Sequence, residues 1–169
     1  MRLFTAIEVP ESHKDSIEIA IQPLRDDLTS ARWVPRENWH VTVKFIGETQ
    51  DAGEVVRATE LVASSCRTGL LTLASIGAFP SFKRAKVLWL GISDDDQAVA
   101  NLAASPDYRP HLTLARLKDT SLRDHVARHE PYEIDPRPFV VKELVLFQSH
   151  LSKKGSTYEV LERFPLLDS

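Results

Sequence analysis

The sequence predicts an α+β fold built on antiparallel sheets. Strand-like and helix-like segments are mixed along the chain, with hairpin-like returns in place of a strict strand–helix–strand alternation. The order of elements in the first half occurs again in the second. With 169 residues and 43% hydrophobic composition, the chain is long enough to bury a core as one compact unit. We therefore expect one domain over residues 1–169.

The first half of the chain predicts two strands, each followed by a helix. Leu3 to Val9 and Trp39 to Gly47 have the alternating, β-branched character of strands. Between them, apolar residues from Ile17 to Leu28 sit among charged ones as in an amphipathic helix. Asp51 is a candidate helix cap, because the residues after it form an apolar face. This half is therefore expected to contribute two strand–helix units.

The second half repeats this mixture and ends in a hairpin. The expected strands are Leu70 to Phe79, Lys86 to Ile92, Arg109 to Leu117, Lys142 to Leu151 and Thr157 to Phe164. The expected helices are Asp94 to Leu102 and Thr120 to Glu130, the latter beginning at a Thr or Ser cap. The Ser-Lys-Lys-Gly turn between the last two strands suits an antiparallel pair.

Composition limits the classes of protein that fit. The net charge is -3, with acidic and basic residues mixed, so any contact with nucleic acid must be local. The single cysteine, Cys66, excludes an internal disulfide. The N-terminal segment does not resemble a signal peptide, and no apolar run approaches the ~20 residues of a membrane span. We expect a soluble, cytoplasmic monomer without membrane contact.

The most informative feature is a tetrapeptide that occurs twice. His40-Val41-Thr42-Val43 and His111-Leu112-Thr113-Leu114 both lie in strand-like stretches, 111 − 40 = 71 positions apart. Side chains alternate across a strand, so the histidine and threonine of each motif share one face. If the two strands lie side by side, two imidazoles and two hydroxyls form a groove that suits a phosphodiester.

These residue types fit the hydrolysis of a cyclic phosphate. One group must take a proton from water and another must give a proton to the leaving oxygen, and histidine can do either near neutral pH. We therefore predict His40 and His111 as the catalytic acid–base pair. Thr42, Thr113 and Arg116 are predicted to bind the non-bridging phosphate oxygens. Strict alternation puts Arg116 opposite His111, so its role requires a twist or bulge near Ala115.

With these motifs, the chain resembles the 2H phosphoesterase superfamily, in its LigT-like branch of RNA 2′,3′-cyclic phosphodiesterases, formerly called 2′-5′ RNA ligases. The resemblance spans nearly the whole chain. The segments that carry it are Leu3 to Pro10, Arg32 to Pro35, His40 to Glu48, Val87 to Gly91, Arg109 to Arg116, Leu146 to Ser149 and Tyr158 to Leu161. The sequence departs from the family pattern in a short stretch before Tyr108 and in His150, where arginine is common.

The resemblance implies a bilobal fold with pseudo-twofold symmetry, in which two antiparallel-rich sheets with outer helices surround a central cleft. It implies an RNA-processing hydrolase that needs no metal or cofactor and opens RNA 2′,3′-cyclic phosphate ends to 2′-phosphomonoesters. In this scheme His40 is the general acid towards the 3′ oxygen and His111 the general base for water.

Several alternatives remain open at this stage. The chain could act on 2′-5′ linkages or other small cyclic phosphates, or it could bind RNA ends without turnover. His125 and His129 are four residues apart on a predicted helix, but no third ligand completes a zinc site. Aromatic residues that could stack a base are Trp33, Phe45, Phe79, Phe82 and Tyr108. Basic residues that could line the cleft are Arg32, Arg36, Lys83, Arg84 and Lys86.

Overall fold

The computed structural model describes residues 1–105 and 107–168, and these residues form nine strands and four α-helices. The strands are β1 (Arg2–Glu8), β2 (Arg32–Trp33), β3 (His40–Glu48), β4 (Gly69–Phe79), β5 (Ala85–Ser93), β6 (His111–Thr120), β7 (Phe139–Val141), β8 (Glu143–Ser152) and β9 (Gly155–Pro165). The helices are α1 (Glu11–Asp27), α2 (Ala52–Ser64), α3 (Ala98–Ala103) and α4 (Arg123–Arg128). The predicted α+β class is confirmed.

The strands form one antiparallel sheet in the order β7-β4-β5-β6-β3-β1-β8-β9, with β2 paired to β6. The order is symmetric about its centre, with four strands on each side of the β6–β3 junction. In the described chain, a single backbone pair, Val41 with Leu112, joins these two strands. The two expected sheets are therefore the two halves of one curled sheet, and the two histidine motifs meet where the halves join.

The core lies between the sheet and its helices. Ile17, Ile21 and Leu24 recur at helical spacing on α1 and are fully buried. Helix α2 begins after the predicted cap, because the Asp51 carboxylate accepts a hydrogen bond of 2.9 Å from the Glu54 amide. Helix α2 packs against β8 and β9, and α3 packs against β3. None of the helices in the described part of the chain is long and apolar enough to cross a membrane.

The predicted third and fourth helices are too long. Residues from Asp94 fold as a turn instead, in which the Asp94 carboxylate accepts from the amides of Val99 and Ala100 and Gln97 is left-handed with φ 55°. Thr120 extends strand β6 by pairing with Ala85, so α4 starts later without a Thr or Ser cap. The sequence pattern missed β2 and β7, because strands of two and three residues are too short to show periodicity.

Candidate active site

A cleft of about 870 Å³ lies where the two halves of the sheet meet. All five residues that we predicted from the two motifs line it. They are His40, Thr42, His111, Thr113 and Arg116. The structure thus brings together two imidazoles, two hydroxyls and a guanidinium from distant parts of the chain.

The pair Val41–Leu112 determines how the motifs face each other. Both side chains are fully buried, so the residues before and after them point to the opposite, open face of the sheet. In the described chain this is the single backbone pair between β3 and β6, so the motifs meet at this point. His40 and Thr42 of one motif and His111 and Thr113 of the other therefore share the open face of the sheet, and all four line the cleft.

A β-bulge turns Arg116 into the cleft. Thr113 pairs with Trp89 and Ala115 pairs with Leu88, so Leu114 has no partner on β5. Leu114 and Ala115 are consecutive and both fully buried, which interrupts the alternation of faces. The bulge near Ala115 that a phosphate-binding role for Arg116 requires is therefore present. The side chain of Arg116 lines the cleft together with that of Thr113.

The first motif contains the same irregularity. Thr42 pairs with Ala6 and Lys44 pairs with Thr5, so Val43 is unpaired, as Leu114 is in the second motif. Phe45, three residues after Thr42, then occupies the position that Arg116 occupies three residues after Thr113. Its ring is 72% exposed and lines the cleft. The two related halves therefore present a guanidinium on one side and an aromatic ring on the other.

His40 lies among aromatic rings. Its ring stacks on Phe4 with centroids 5.0 Å apart, and Tyr158 meets it edge-on at 5.2 Å. Burial lowers the pKa of His40 to about 4, with a smaller contribution from the charge of Lys14, while a hydrogen bond with the backbone of Asn38 acts in the opposite direction. His40 is therefore neutral in the free protein at neutral pH.

The ring of His111 is oriented by a backbone carbonyl. Its Nδ1 lies 2.8 Å from the carbonyl oxygen of Arg109, and because a carbonyl only accepts hydrogen bonds, Nδ1 carries the proton. Phe79 contacts the ring edge-on at a centroid distance of 5.4 Å, and Trp89 lies at 6.2 Å. Nε2 is then the nitrogen left to face a substrate.

The structure separates the remaining candidates. Phe45, Phe79 and Tyr108 line the cleft, whereas Trp33 and Phe82 pack against the core. None of the five basic residues proposed from the sequence lines the cleft. Arg36 binds carboxylates of α1, and Arg84 binds Asp119.

Among the cleft residues that sequence reasoning missed are Arg2, Phe4 and Tyr158. They come from β1 and β9, and no short motif marks them. The alternation in β1 could have indicated that Arg2 and Phe4 share a face, but the strand order that brings them to His40 is a property of the whole sheet.

The other histidines have partners outside the cleft. His125 and His129 both lie 3.0 Å from the same carboxylate oxygen of Asp27 at the end of α1, and these hydrogen bonds contribute to lowering the pKa of Asp27 to about 2. His150 lies 2.9 Å from a carboxylate oxygen of Glu159. His13 is 5% exposed, with Nε2 2.8 Å from the Arg137 carbonyl. These four imidazoles therefore have structural roles in contacts between elements.

Comparisons with known proteins identify the family of the chain. The family model described as LigT like Phosphoesterase matches residues 7–89 and 94–158. A Methanocaldococcus jannaschii protein named RNA 2′,3′-cyclic phosphodiesterase is 30% identical, with 97% of this chain and 100% of that protein covered. An Aquifex aeolicus protein of the same name is 26% identical over 94% of this chain and 90% of its own length.

Solved structures show the same fold. Escherichia coli LigT complexed with 3′-AMP superposes with a TM-score of 0.67 at 30% identity, covering 98% of both chains. A Thermus thermophilus protein superposes with a TM-score of 0.81 at 24% identity and covers 100% of both chains, which supports the fold alone. From its matched sequence and its architecture, the chain belongs to the LigT-like phosphoesterase family.

Proposed function

We propose that this protein hydrolyses RNA 2′,3′-cyclic phosphate ends to 2′-phosphomonoesters, with His40 and His111 as the acid–base pair. The observation that carries the proposal is the convergence of both histidine motifs on one cleft, across the backbone pair Val41–Leu112. The family and the names of its relatives indicate a cyclic phosphodiesterase. The identity of the bond broken and the roles of the residues are our inference.

The reaction needs two proton transfers on opposite sides of the phosphorus. Water attacks the phosphorus as one imidazole takes its proton, and the P–O3′ bond breaks as the other imidazole protonates the leaving 3′ oxygen. The phosphate then remains on the 2′ oxygen. Each transfer contributes about 10²–10⁴ in rate. Two histidines on adjacent strands, each with the threonine of its own motif lining the same cleft, suit this division of work.

The charge on the non-bridging oxygens needs donors aimed at them. The hydroxyls of Thr42 and Thr113 and the guanidinium of Arg116 line the cleft beside the imidazoles. A guanidinium offers two parallel N–H groups to phosphate oxygens, and its charge does not depend on pH in the working range. We assign these three residues to binding of the reacting phosphate.

Which histidine is the acid and which is the base can be tested separately from whether both histidines take part in the reaction. The family resemblance assigns His40 as the acid, but burial keeps His40 neutral before substrate binds, which favours a proton-accepting role. A bound phosphate acts in the other direction, because its negative charge raises the pKa of an adjacent imidazole. A substrate with sulfur in place of the 3′ oxygen needs no proton on its leaving group. It should restore turnover only to the variant that lacks the acid, whether His40→Ala or His111→Ala.

The principal experiment identifies the product from RNA that ends in a 2′,3′-cyclic phosphate. We expect a 2′-phosphate, and we expect His40→Ala and His111→Ala each to lower kcat by at least about 10²-fold. His150→Ala is the matched control, because His150 is exposed and outside the cleft. Hydrolysis should persist with excess chelator. Turnover retained in either alanine variant, a 3′-phosphate product, or chelator inhibition reversed by a divalent ion would contradict the proposal.

The same assay separates the alternatives. Faster cleavage of 2′-5′-linked dinucleotides, or of another small cyclic phosphate, would place the activity on a different substrate of the same cleft. Tight binding of the cyclic end without product would indicate an RNA-end binding protein.

A further inference from the structure

Arg2 lies at one end of the cleft, away from the two histidine motifs. It is the first residue of β1 and lines the cleft two positions before Phe4, whose ring stacks on His40. Two residues of an extended strand span about 7 Å. Arg2 therefore lies about that far along β1 from Phe4, the residue whose ring covers His40.

Two hydroxyl groups lie in a row with Arg2 across three strands. Arg2 pairs with Ser149 on β8, and Ser149 pairs with Tyr158 on β9. Residues paired in this way point to the same face, and all three line the cleft. Burial raises the pKa of Tyr158, while the charges of Arg116 and Arg2 act in the opposite direction, so both guanidinium groups lie near this phenol. The row thus offers one cation and two hydroxyl donors.

In the described part of the chain, Arg2 and Arg116 are the two arginines that line the cleft, and neither is held by a carboxylate. Arg36, Arg84, Arg128, Arg137 and Arg163 each bind a carboxylate within 2.6–2.8 Å. Among the described residues, no carboxylate lies within ion-pair distance of Arg2 or Arg116. Glu48 is the cross-strand partner of Arg2, but its carboxylate lies 3.5 Å from the amino group of Met1.

The reacting cyclic phosphate carries one negative charge, and Arg116 is placed to meet it. A second unpaired guanidinium, with two hydroxyls beside it, calls for a second anion. The net charge of the chain is -3, so the protein as a whole has no field that would attract RNA, and a local cation is needed. RNA supplies such an anion one nucleotide from its cyclic end.

We propose that Arg2, together with the hydroxyls of Ser149 and Tyr158, binds the phosphodiester that precedes the terminal cyclic phosphate of an RNA strand. This inference rests on the proposed function and extends it, because it makes an oligoribonucleotide end, rather than a free cyclic mononucleotide, the preferred substrate. Loss of one charge-assisted contact corresponds to about tenfold in kcat/KM.

The test compares kcat/KM for a cyclic mononucleotide and for a dinucleotide with the same cyclic terminal nucleoside. Wild type should prefer the dinucleotide, and Arg2→Gln should lower the dinucleotide-to-mononucleotide ratio about tenfold. Arg2→Lys should recover part of it. Arg57→Gln, on the exposed side of α2 and outside the cleft, is the matched control and should leave the ratio unchanged.

A substrate with a neutral linkage tests the charge itself. Replacing the linking phosphodiester of the dinucleotide by a methylphosphonate should lower the ratio in wild type by the same factor, with no further loss in Arg2→Gln. A plot of log kcat/KM for the dinucleotide against log salt concentration has a negative slope. This slope should become less steep by about 0.7 when the contact between Arg2 and the linking phosphate is removed.

The outcomes separate this inference from the proposed function. If wild type hydrolyses both substrates without preference, or if Arg2→Gln leaves the ratio intact, the second phosphate site is wrong while the cyclic phosphodiesterase activity stands. If neither substrate is hydrolysed, the proposed function itself fails.

Discussion

The two histidines that share the cleft have different surroundings, which has a consequence for pH dependence. The pair works when it carries one proton, and burial lowers the pKa of His40 to about 4. A second proton would occupy the imidazole that acts as the base and stop the reaction. This second proton therefore binds only near pH 4. We expect kcat/KM to be bell-shaped, with its acidic limb near pH 4 rather than near ~6.5, the value for a free imidazole.

A variant at Lys14 tests the cause of this limb. The charge of Lys14 is the second contribution to the lowered pKa of His40, so Lys14→Gln should raise that pKa and move the acidic limb upwards. A circular dichroism spectrum that stays native across the limb excludes acid unfolding as its origin. A wild-type limb near pH 6.5 would mean that the aromatic surroundings of His40 do not keep it desolvated in solution.

The guanidinium of Arg116 makes a second residue-level prediction. If it stabilises charge on the phosphate during reaction, Arg116→Gln should lower kcat by about 10²-fold, as for other single donors to a developing oxyanion. Arg116→Lys should retain part of the activity, because it keeps the charge but loses the two parallel donors. Lys118→Gln, two residues along β6 and outside the cleft, is the control. Full activity of Arg116→Gln in steady-state assays would remove Arg116 from the site.

The sequence predicted that the residues of the two motifs would share a cleft, but it did not predict most of the other residues that line this cleft. A repeated His-x-Thr pattern is visible without any structure, because the two side chains share a strand face wherever the strand lies. Phe4 and Tyr158 surround His40 only because β1 and β9 belong to its half of the sheet. Pairing between strands distant in sequence is not contained in a local pattern.

At the level of elements, the two bulges are what place Arg116 and Phe45. Both motifs continue with a buried, unpaired residue after the threonine, Val43 in β3 and Leu114 in β6. The consecutive apolar residues Leu114 and Ala115 are compatible with a bulge, and the requirement for one was apparent from the sequence. Helix ends were less predictable, because Asp94 uses its carboxylate to hold a turn where a regular helix was expected.

Strand β4 supports the second histidine through a glycine. A Cβ on Gly77 would lie 2.1 Å from the Trp89 ring, which lies beside His111 and Phe79. Gly77→Ala should therefore displace Trp89, lower the free energy of unfolding by about 1–3 kcal/mol and reduce kcat. Denaturant unfolding and steady-state kinetics measure the two effects.

Gly69→Ala is the matched control on the same strand. Its added Cβ would lie 2.7 Å from Ala98, away from the cleft, so stability should fall while kcat is retained. Equal kcat in the two variants would show that Trp89 has no part in orienting His111.

At the level of the whole molecule, the sequence predicted two related halves. It did not predict that so few backbone pairs join the strands β3 and β6, which carry the two motifs. The family resemblance, which the repeated histidine motif carries, implied two related lobes. The join between the two motif strands, by contrast, depends on the curl of the sheet, which leaves only Val41 and Leu112 paired between β3 and β6 in the described chain. Side chains that cross this junction are therefore expected to control the separation of the two imidazoles.

Tyr108 is such a side chain. Its hydroxyl donates to the carbonyl oxygen of Thr42, and so connects the segment before His111 to the first motif. Burial raises the pKa of this phenol well above its usual range, which keeps it a donor throughout the working pH range. Tyr108→Phe should lower the free energy of unfolding by about 1 kcal/mol. It should also lower kcat by about ten- to hundredfold with little change in KM, because small misplacements of catalytic groups are costly.

The chain contains a matched control for this substitution. The hydroxyl of Tyr132 also donates to a backbone carbonyl, that of Val126, at 2.8 Å, and it lies outside the cleft. Tyr132→Phe removes the same kind of hydrogen bond and should cost similar stability without reducing kcat. A higher KM with unchanged kcat in Tyr108→Phe would instead mean that Tyr108 contacts the substrate directly. Equal kinetics in the two variants would mean that the halves hold their relative position without this bond.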